Sequence, residues 1–138
     1  MVRVNLIEPI QLADQHLIAE YNEILMLIGY VKKYPKKENI PENYLLGKGH
    51  ILFFKDKLNY LKKRHEIIKK EMKKRGFKTE KIINLSSFEG SLINDWVPKK
   101  KDFEIIKERI KYKINLKPEF YRYYGEMKSP GFFIGLLA

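Results

Sequence analysis

Apolar side chains recur at helical spacing along three stretches of the chain. The first stretch runs from Leu12 to about Val31, and its apolar positions are Leu17, Tyr21, Ile24, Ile28 and Val31. Steps of three and four residues place these side chains on one face of an α-helix. Pro9 lies near the start, and Lys32 and Lys33 lie at the end, where cations suit the helix dipole.

Two further stretches have the same period. The second runs from about His50 to Arg75, with an apolar face formed by Phe54, Leu58, Leu61, His65, Ile68 and Met72. The third follows Pro98 and runs from about Asp102 to Asn115, with an apolar face formed by Phe103, Ile106, Ile110 and Ile114. Gly76 and Pro118 follow these stretches and are typical helix ends.

The segments between the helices show no sustained period. The stretch YPKKENIPENYLLGKGH contains two prolines and two glycines that interrupt regular structure, and residues 76–98 predict an ordered loop with at most a short helical turn. No stretch predicts a β-strand, and the apolar last eight residues, GFFIGLLA, are expected to pack onto the rest. The pattern predicts an all-α fold: one compact domain over residues 1–138, with three main helices joined by long loops.

Composition narrows the class of protein. A chain of 138 residues is long enough to bury a core, and the absence of cysteine excludes disulfides and thiolate metal sites. Neither an apolar signal region nor a run of membrane-spanning length is present. The expectation is therefore an intracellular, monomeric protein with no membrane partner.

The charge balance points to a polyanion partner. The chain has 28 Lys and Arg residues against 17 Asp and Glu residues, for a formal net charge of +11. Such a surface suits nucleic acid, because each contacted phosphate releases counterions. A lysine-rich surface that reflects genome bias or heat adaptation is the alternative.

His16, Glu20 and Glu23 form a polar cluster on the first predicted helix. At about 100° per residue they fall within an arc of roughly 60°, away from the centre of the apolar face. Three interpretations remain open: a metal site, an amine or water held beside a general acid or base, and a solvated polar face. No further ligands cluster with them, so neither a metal nor a cofactor is predicted.

Two other groups of residues suit contacts to nucleic acid. Arg109 and Lys113 are spaced i, i+4 on one face of the third helix. The tail FYRYYG alternates aromatic residues with Arg122, a mixture that suits base stacking and cation–π contacts. A solvated helix face and a tail packed over a small core are the structural alternatives.

Taken in order, several segments resemble one family. The matching segments are RVNL, LADQH and AEYNE in the first quarter, LGKGH and FFKDKLNYLKKR around the second helix, and then KRGF, WVP and FYRYYG. Together they resemble the pyrimidine-dimer DNA glycosylase/AP lyases of the phage endonuclease V type. The resemblance covers nearly the whole chain, and its N-terminal block is the most specific part.

The resemblance implies a mechanism. The initiator Met is removed in that family, so the nucleophile here would be the α-amine of Val2. An α-amine has a reference pKa of about 7.7–8.0, against about 10.4 for lysine, so a useful fraction is neutral near pH 7. The amine attacks C1′ of the deoxyribose, the base leaves, and the resulting Schiff base undergoes β-elimination. Glu23 matches the catalytic carboxylate, and no metal is required.

The resemblance also implies a DNA-binding set. Five residues match family positions that line the site or hold phosphates around the lesion: Arg3, Gln15, His16, Arg109 and Lys113. Tyr123 and Tyr124 match the aromatic tail of the family. Asn22 and Met26 occupy two positions where the phage member has Arg, so we expect a weaker grip on damaged double-stranded DNA. These two differences affect neither the amine nor Glu23, so the resemblance implies lyase chemistry whether or not dimers are recognised. The substrate could be another damaged base instead of a dimer. The alternative functions are an AP-lyase-only or non-catalytic DNA-binding relative and a metal-dependent nuclease.

Overall fold

The computed structural model describes residues 4–138, and this part of the chain is predominantly helical. Its helices are α1 (Asp14–Lys33), α2 (Gly49–Phe54), α3 (Leu58–Lys74), α4 (Lys100–Leu116) and α5 (Pro130–Leu136), with short 3-10 helices at Pro9–Gln11 and Gly90–Leu92. The predicted helical class is confirmed. The predicted count of three main helices is not exact, because the described residues form five α-helices.

The second predicted helix is divided into α2 and α3. The ammonium of Lys57 donates to the carbonyl of Phe53 at 2.8 Å and to Asp56 Oδ1 at 2.8 Å, so it binds the carboxyl end of α2. Lys57 has φ −125° and ψ 40°, which is not helical. The apolar period continues through the break, since Phe54 and Leu58 are four residues apart and both fully buried.

The core lies between α1 and α3, which contact each other more extensively than any other pair of helices. The α1 face with Leu17, Ile24 and Val31 is fully buried, as its spacing predicts. α1 begins and ends two residues later than the predicted span. Beside it, the loop before α2 brings Tyr44 against Trp96, with ring centroids 5.9 Å apart.

The C-terminal region folds back onto the helices. Strands β1 (Arg122–Tyr123) and β2 (Glu126–Met127) pair antiparallel around Tyr124 and Gly125, whose φ values are 52° and 81°. Positive φ at both central residues is typical of a tight hairpin turn. The prediction of no strand is therefore wrong here, because strands of two residues are too short to show an alternating pattern.

The apolar tail after the hairpin forms α5. Its Phe133 and the following Leu137 are buried, which confirms the expectation that these residues pack onto the rest of the chain. Ser129 Oγ accepts a hydrogen bond from the Phe132 amide at 3.3 Å and caps the start of the helix. Among residues 4–138, no helix has the length and apolar character needed to cross a membrane.

Candidate active site

A cleft of about 240 Å³ lies between α1, α4 and the segment that leads into β1. Its lining residues are Asn5, Gln15, His16, Ala19, Glu23, Arg109, Ile110, Lys113, Phe120 and Tyr121. Five of the predicted site residues are in this set: Gln15, His16, Glu23, Arg109 and Lys113. The fold thus brings a carboxylate from α1 and two cations from α4 into one cavity.

The polar cluster predicted on α1 is divided by the structure. Glu23 and His16 line the cleft, whereas Glu20 is fully buried in the interior. Oε2 of Glu20 lies 2.6 Å from Nε of Arg64, and its Oε1 accepts from Nη2 at 3.0 Å. Glu20 is therefore a core residue, and the expectation that all three belong to one polar face is wrong for it. Within the described chain, no three His, Cys, Asp or Glu side chains group as metal ligands.

His16 is uncharged at neutral pH. Burial, and after it the positive charges of Lys113 and Arg109, lower its pKa from 6.5 to about 4. Its ring lies against Tyr121, with centroids 4.7 Å apart and planes inclined by 38°. Nδ1 of His16 and Nε of Arg109 are buried without a hydrogen-bond partner among the described residues. His16 and Arg109 both line the cleft, but these two nitrogens are themselves shielded from solvent.

α4 supplies the positive charge of the cleft. Arg109 and Lys113 are one helical turn apart on the same face, so both side chains reach the cavity. Neither takes part in an ion pair found among residues 4–138. Cations without a carboxylate partner at the wall of a cavity favour an anionic ligand such as a phosphate.

Gln15 connects α1 to the tail. Its Nε2 donates to the carbonyl of Phe120 at 2.8 Å, and its Oε1 accepts from the amide of Arg122 at 3.0 Å. These two bonds flank Tyr121, which is buried against His16. Gln15 thus fixes the backbone that supplies the aromatic wall of the cleft.

Tyr123 and Tyr124 are not among the lining residues. The hydroxyl of Tyr123 donates to the carbonyl of Ile10 at 2.8 Å, and that of Tyr124 donates to Glu71 Oε2 at 2.7 Å. The guanidinium of Arg75 lies 4.5 Å and 4.8 Å from the two ring centroids. In the structure these tyrosines attach the hairpin to the helices, with Tyr124 partly exposed.

Asn22 and Met26 also lie outside the cleft lining. Asn22 is exposed, and its side-chain amide donates to the carbonyl of Ile18 at 3.2 Å. Met26 is 63% exposed and lies two helical turns beyond Ala19, on the same side of α1. Val2 and Arg3, the remaining predicted site residues, lie outside the described residues.

Five lining residues were not predicted as site residues: Asn5, Ala19, Ile110, Phe120 and Tyr121. Phe120 and Tyr121 belong to the FYRYYG segment, which already indicated aromatic contacts. Ile110 belongs to the apolar face of its helix, where a cleft position cannot be told from a core position. Asn5 precedes the first helix, so no periodicity indicates its direction.

Residues 1–85 match the family model described as pyrimidine dimer DNA glycosylase. The match covers more than half of the chain and includes Gln15, His16 and Glu23. Arg109, Lys113, Phe120 and Tyr121 lie beyond it, and they line the same cleft in the structure.

Proposed function

The chain belongs to the pyrimidine dimer DNA glycosylase family, and we propose that it removes a damaged base and then cuts the strand as an AP lyase. In this proposal the nucleophile is the α-amine of Val2, exposed by removal of Met1, and Glu23 is the catalytic carboxylate. The substrate is double-stranded DNA, with a pyrimidine dimer or another damaged base. No metal or cofactor takes part.

The position of Asn5 supports the assignment of the amine. Asn5 lines the cleft, and a chain spans at most about 3.3–3.6 Å per residue. The length of the chain therefore limits the amine of Val2 to at most about 11 Å from the backbone nitrogen of Asn5, a distance that allows it to reach the cavity. Its lone pair forms a bond to C1′ while the bond from C1′ to the base breaks, and the base leaves with those electrons and takes up a proton.

Glu23 suits the second step. Opening of the sugar ring gives a protonated Schiff base, which makes the C2′ proton acidic. The Glu23 carboxylate accepts that proton, and the electrons expel the 3′ phosphate by breaking the C3′–O bond. Its half-buried place on α1, in a cavity with two cations, supports this role.

Arg109 and Lys113 suit the phosphates on either side of the lesion. Two cations on one wall compensate the charge of a backbone that is bent into a cavity. His16 adds no further charge, because its lowered pKa keeps it neutral. One observation carries the proposal: Glu23, Arg109 and Lys113 line the same cleft although they come from two helices far apart in the sequence.

An AP lyase without strong dimer recognition is the second candidate. The exposed side chains of Asn22 and Met26 offer no positive charge next to the cleft face of α1. Abasic sites need no base recognition, so loss of two cations affects them less than it affects dimers.

Borohydride trapping on an abasic duplex tests the proposal. Intact mass first establishes whether Met1 has been removed, and peptide mapping of the reduced adduct then identifies the attached residue. We expect attachment at Val2 and strand cleavage that EDTA leaves unchanged. A matched protein with one Gly inserted before Val2 should trap about a hundredfold more slowly, because misplacing a reacting atom by ~1 Å can cost ~10²-fold. Attachment at an internal lysine would contradict the assignment.

A further inference from the structure

The backbone at Val4 is held from both sides, by Tyr44 in the loop that precedes α2 and by His50 in the first turn of α2. The amide of Val4 donates to Nε2 of His50 at 2.9 Å. The hydroxyl of Tyr44 donates to the carbonyl of Val4 at 3.1 Å. All three residues are buried, and His50 and Val4 are fully shielded from solvent. These contacts use only the backbone of Val4, so they fix the path of the chain independently of its side chain.

A second pair of contacts holds the residues that follow. The amide of Asn5 donates to Glu20 Oε1 at 3.2 Å, and Arg64 Nη1 donates to the carbonyl of Ile7. Between them Leu6 has φ 61°, and the amide of Ile7 donates to the carbonyl of Asn5 at 2.6 Å. A non-glycine residue rarely adopts this conformation, and it persists only where its surroundings over-determine it. The tight turn therefore indicates that the backbone of residues 4–7 is held in a single conformation.

The LGKGH segment delivers His50 to this position. Gly47 has φ 82°, a conformation that side chains other than glycine rarely adopt. A Cβ at Gly49 would lie 2.6 Å from the side chain of Leu45, so glycine allows the close approach there. Nδ1 of His50 lies 2.8 Å from the carbonyl of Leu45. Because the Val4 amide can only donate, Nε2 is the acceptor, and the ring proton is on Nδ1 and donates to Leu45.

We propose that His50 is a positioning residue for the α-amine of Val2. It holds the backbone amide two residues beyond the nucleophile, with Tyr44 as its partner, and so sets the direction in which the N-terminus meets the cleft. This inference rests on the proposed function, in which that amine attacks C1′. Burial of the Val4 side chain alone does not set this direction. The hydrogen bond to His50 does, because an apolar residue at position 50 would leave the buried amide of Val4 without an acceptor.

Two substitutions of His50 separate positioning from packing. His50→Gln keeps an oxygen as many bonds from Cα as Nε2, so it can still accept from Val4. His50→Asn keeps a group at the distance of Nδ1, so it can bond to Leu45 but leaves the Val4 amide without its acceptor. Both remove the ring, but His50→Asn should unfold at a lower temperature, because the buried Val4 amide loses its acceptor. Trapping is therefore measured well below the unfolding midpoints of both variants.

Single-turnover borohydride trapping on an abasic duplex is then measured beside equilibrium binding to the same duplex. We expect His50→Asn to trap about a hundredfold more slowly than wild type, while His50→Gln stays within about tenfold and both bind DNA equally. Equal trapping rates for the Asn and Gln variants would overturn the role of His50. If the wild-type protein itself is not trapped through Val2, the proposed function fails instead, so the two failures are distinct.

Tyr44→Phe provides a milder variant in case the His50 variants do not fold. It removes only the hydroxyl that binds Val4 and keeps the ring against Trp96. We expect trapping to slow about three- to tenfold at unchanged DNA affinity, whereas the matched control Tyr34→Phe, at the exposed end of α1, should trap at the wild-type rate. Trapping by Tyr44→Phe at the rate of Tyr34→Phe would overturn the inference.

Discussion

Glu20 and Arg64 form an ion pair inside the protein, with 3% of the Arg64 side chain and none of the Glu20 side chain exposed. Burial opposes the charge of Arg64, but the charge of Glu20 and its hydrogen bond raise the pKa of the guanidinium overall. The same pair binds the amide of Asn5 and the carbonyl of Ile7. It therefore connects α1 and α3 to the segment that leads to the cleft.

Removing one partner of this pair should be strongly destabilising. Glu20→Gln leaves the Arg64 charge buried without compensation, and we expect the free energy of unfolding to fall by about 3–5 kcal/mol in urea titrations. The control is Asp95→Asn, which breaks the exposed pair with Lys63 and should cost less than about 1 kcal/mol. Equal losses for the two variants would show that burial of the Glu20 pair has no energetic consequence.

Glu23→Gln should separate DNA binding from chemistry. The change keeps the shape of the side chain but removes the carboxylate that we propose accepts the C2′ proton. Strand cleavage at abasic sites should fall by ~10²–10⁴-fold, while binding survives or tightens because a negative charge near phosphates is lost. Glu108→Gln, an exposed change on α4, is the control and should cleave normally. Near-normal cleavage by Glu23→Gln would refute its catalytic role.

Arg109 and Lys113 should act as phosphate contacts that do not discriminate between sequences. Replacing either with Ala should weaken binding to every duplex and reduce the slope of log affinity against log salt by about one unit. Lys111→Ala is the matched control, since Lys111 lies on α4 but does not line the cleft. A slope that changes equally in all three variants would place the contacts elsewhere.

His16 should make the protein less stable in mild acid. Its pKa in the folded state is about 4, below the ordinary value of 6.5, so the unfolded state binds more protons between these values. The contribution of His16 to stability is therefore lost as pH falls from about 6.5 to 4, by at most about 3–4 kcal/mol. Wild type should lose more stability over this range than His16→Gln in urea titrations at several pH values. Parallel losses in the two proteins would show that His16 keeps an ordinary pKa.

Asn22 and Met26 should limit recognition of dimers. Each charged hydrogen bond is worth about 1.5–3 kcal/mol, so Asn22→Arg/Met26→Arg should raise excision of a cyclobutane dimer by about ten- to a hundredfold per position. Cleavage of abasic duplex should remain robust in both proteins. The assay is a panel of duplexes that carry a dimer, an abasic site, or an oxidised or ring-opened purine. Strong dimer excision by wild type that the added arginines do not improve would remove these positions as determinants.

The helices follow from local sequence because their apolar period is a local property. α1 begins and ends within two residues of the predicted span, and its buried face is the predicted one. The break between α2 and α3 was missed because Phe54 and Leu58 keep the period across it. The hairpin was missed because its strands are two residues long and depend on contacts with distant residues, among them Asp14, which accepts from the amides of Tyr124 and Gly125.

The candidate site divides in the same way. Helical spacing alone placed His16 and Glu23 on one face of α1, and it placed Arg109 and Lys113 on one face of α4. Similarity to a known family then suggested a chemical role for each of them. Only the tertiary structure decided that α1 and α4 line the same cleft. It also decided that Glu20, unlike His16 and Glu23, is buried in an ion pair with Arg64. The physical reason is that periodicity gives the direction of a side chain around its helix, whereas its burial and partner depend on the residue that another segment places opposite it.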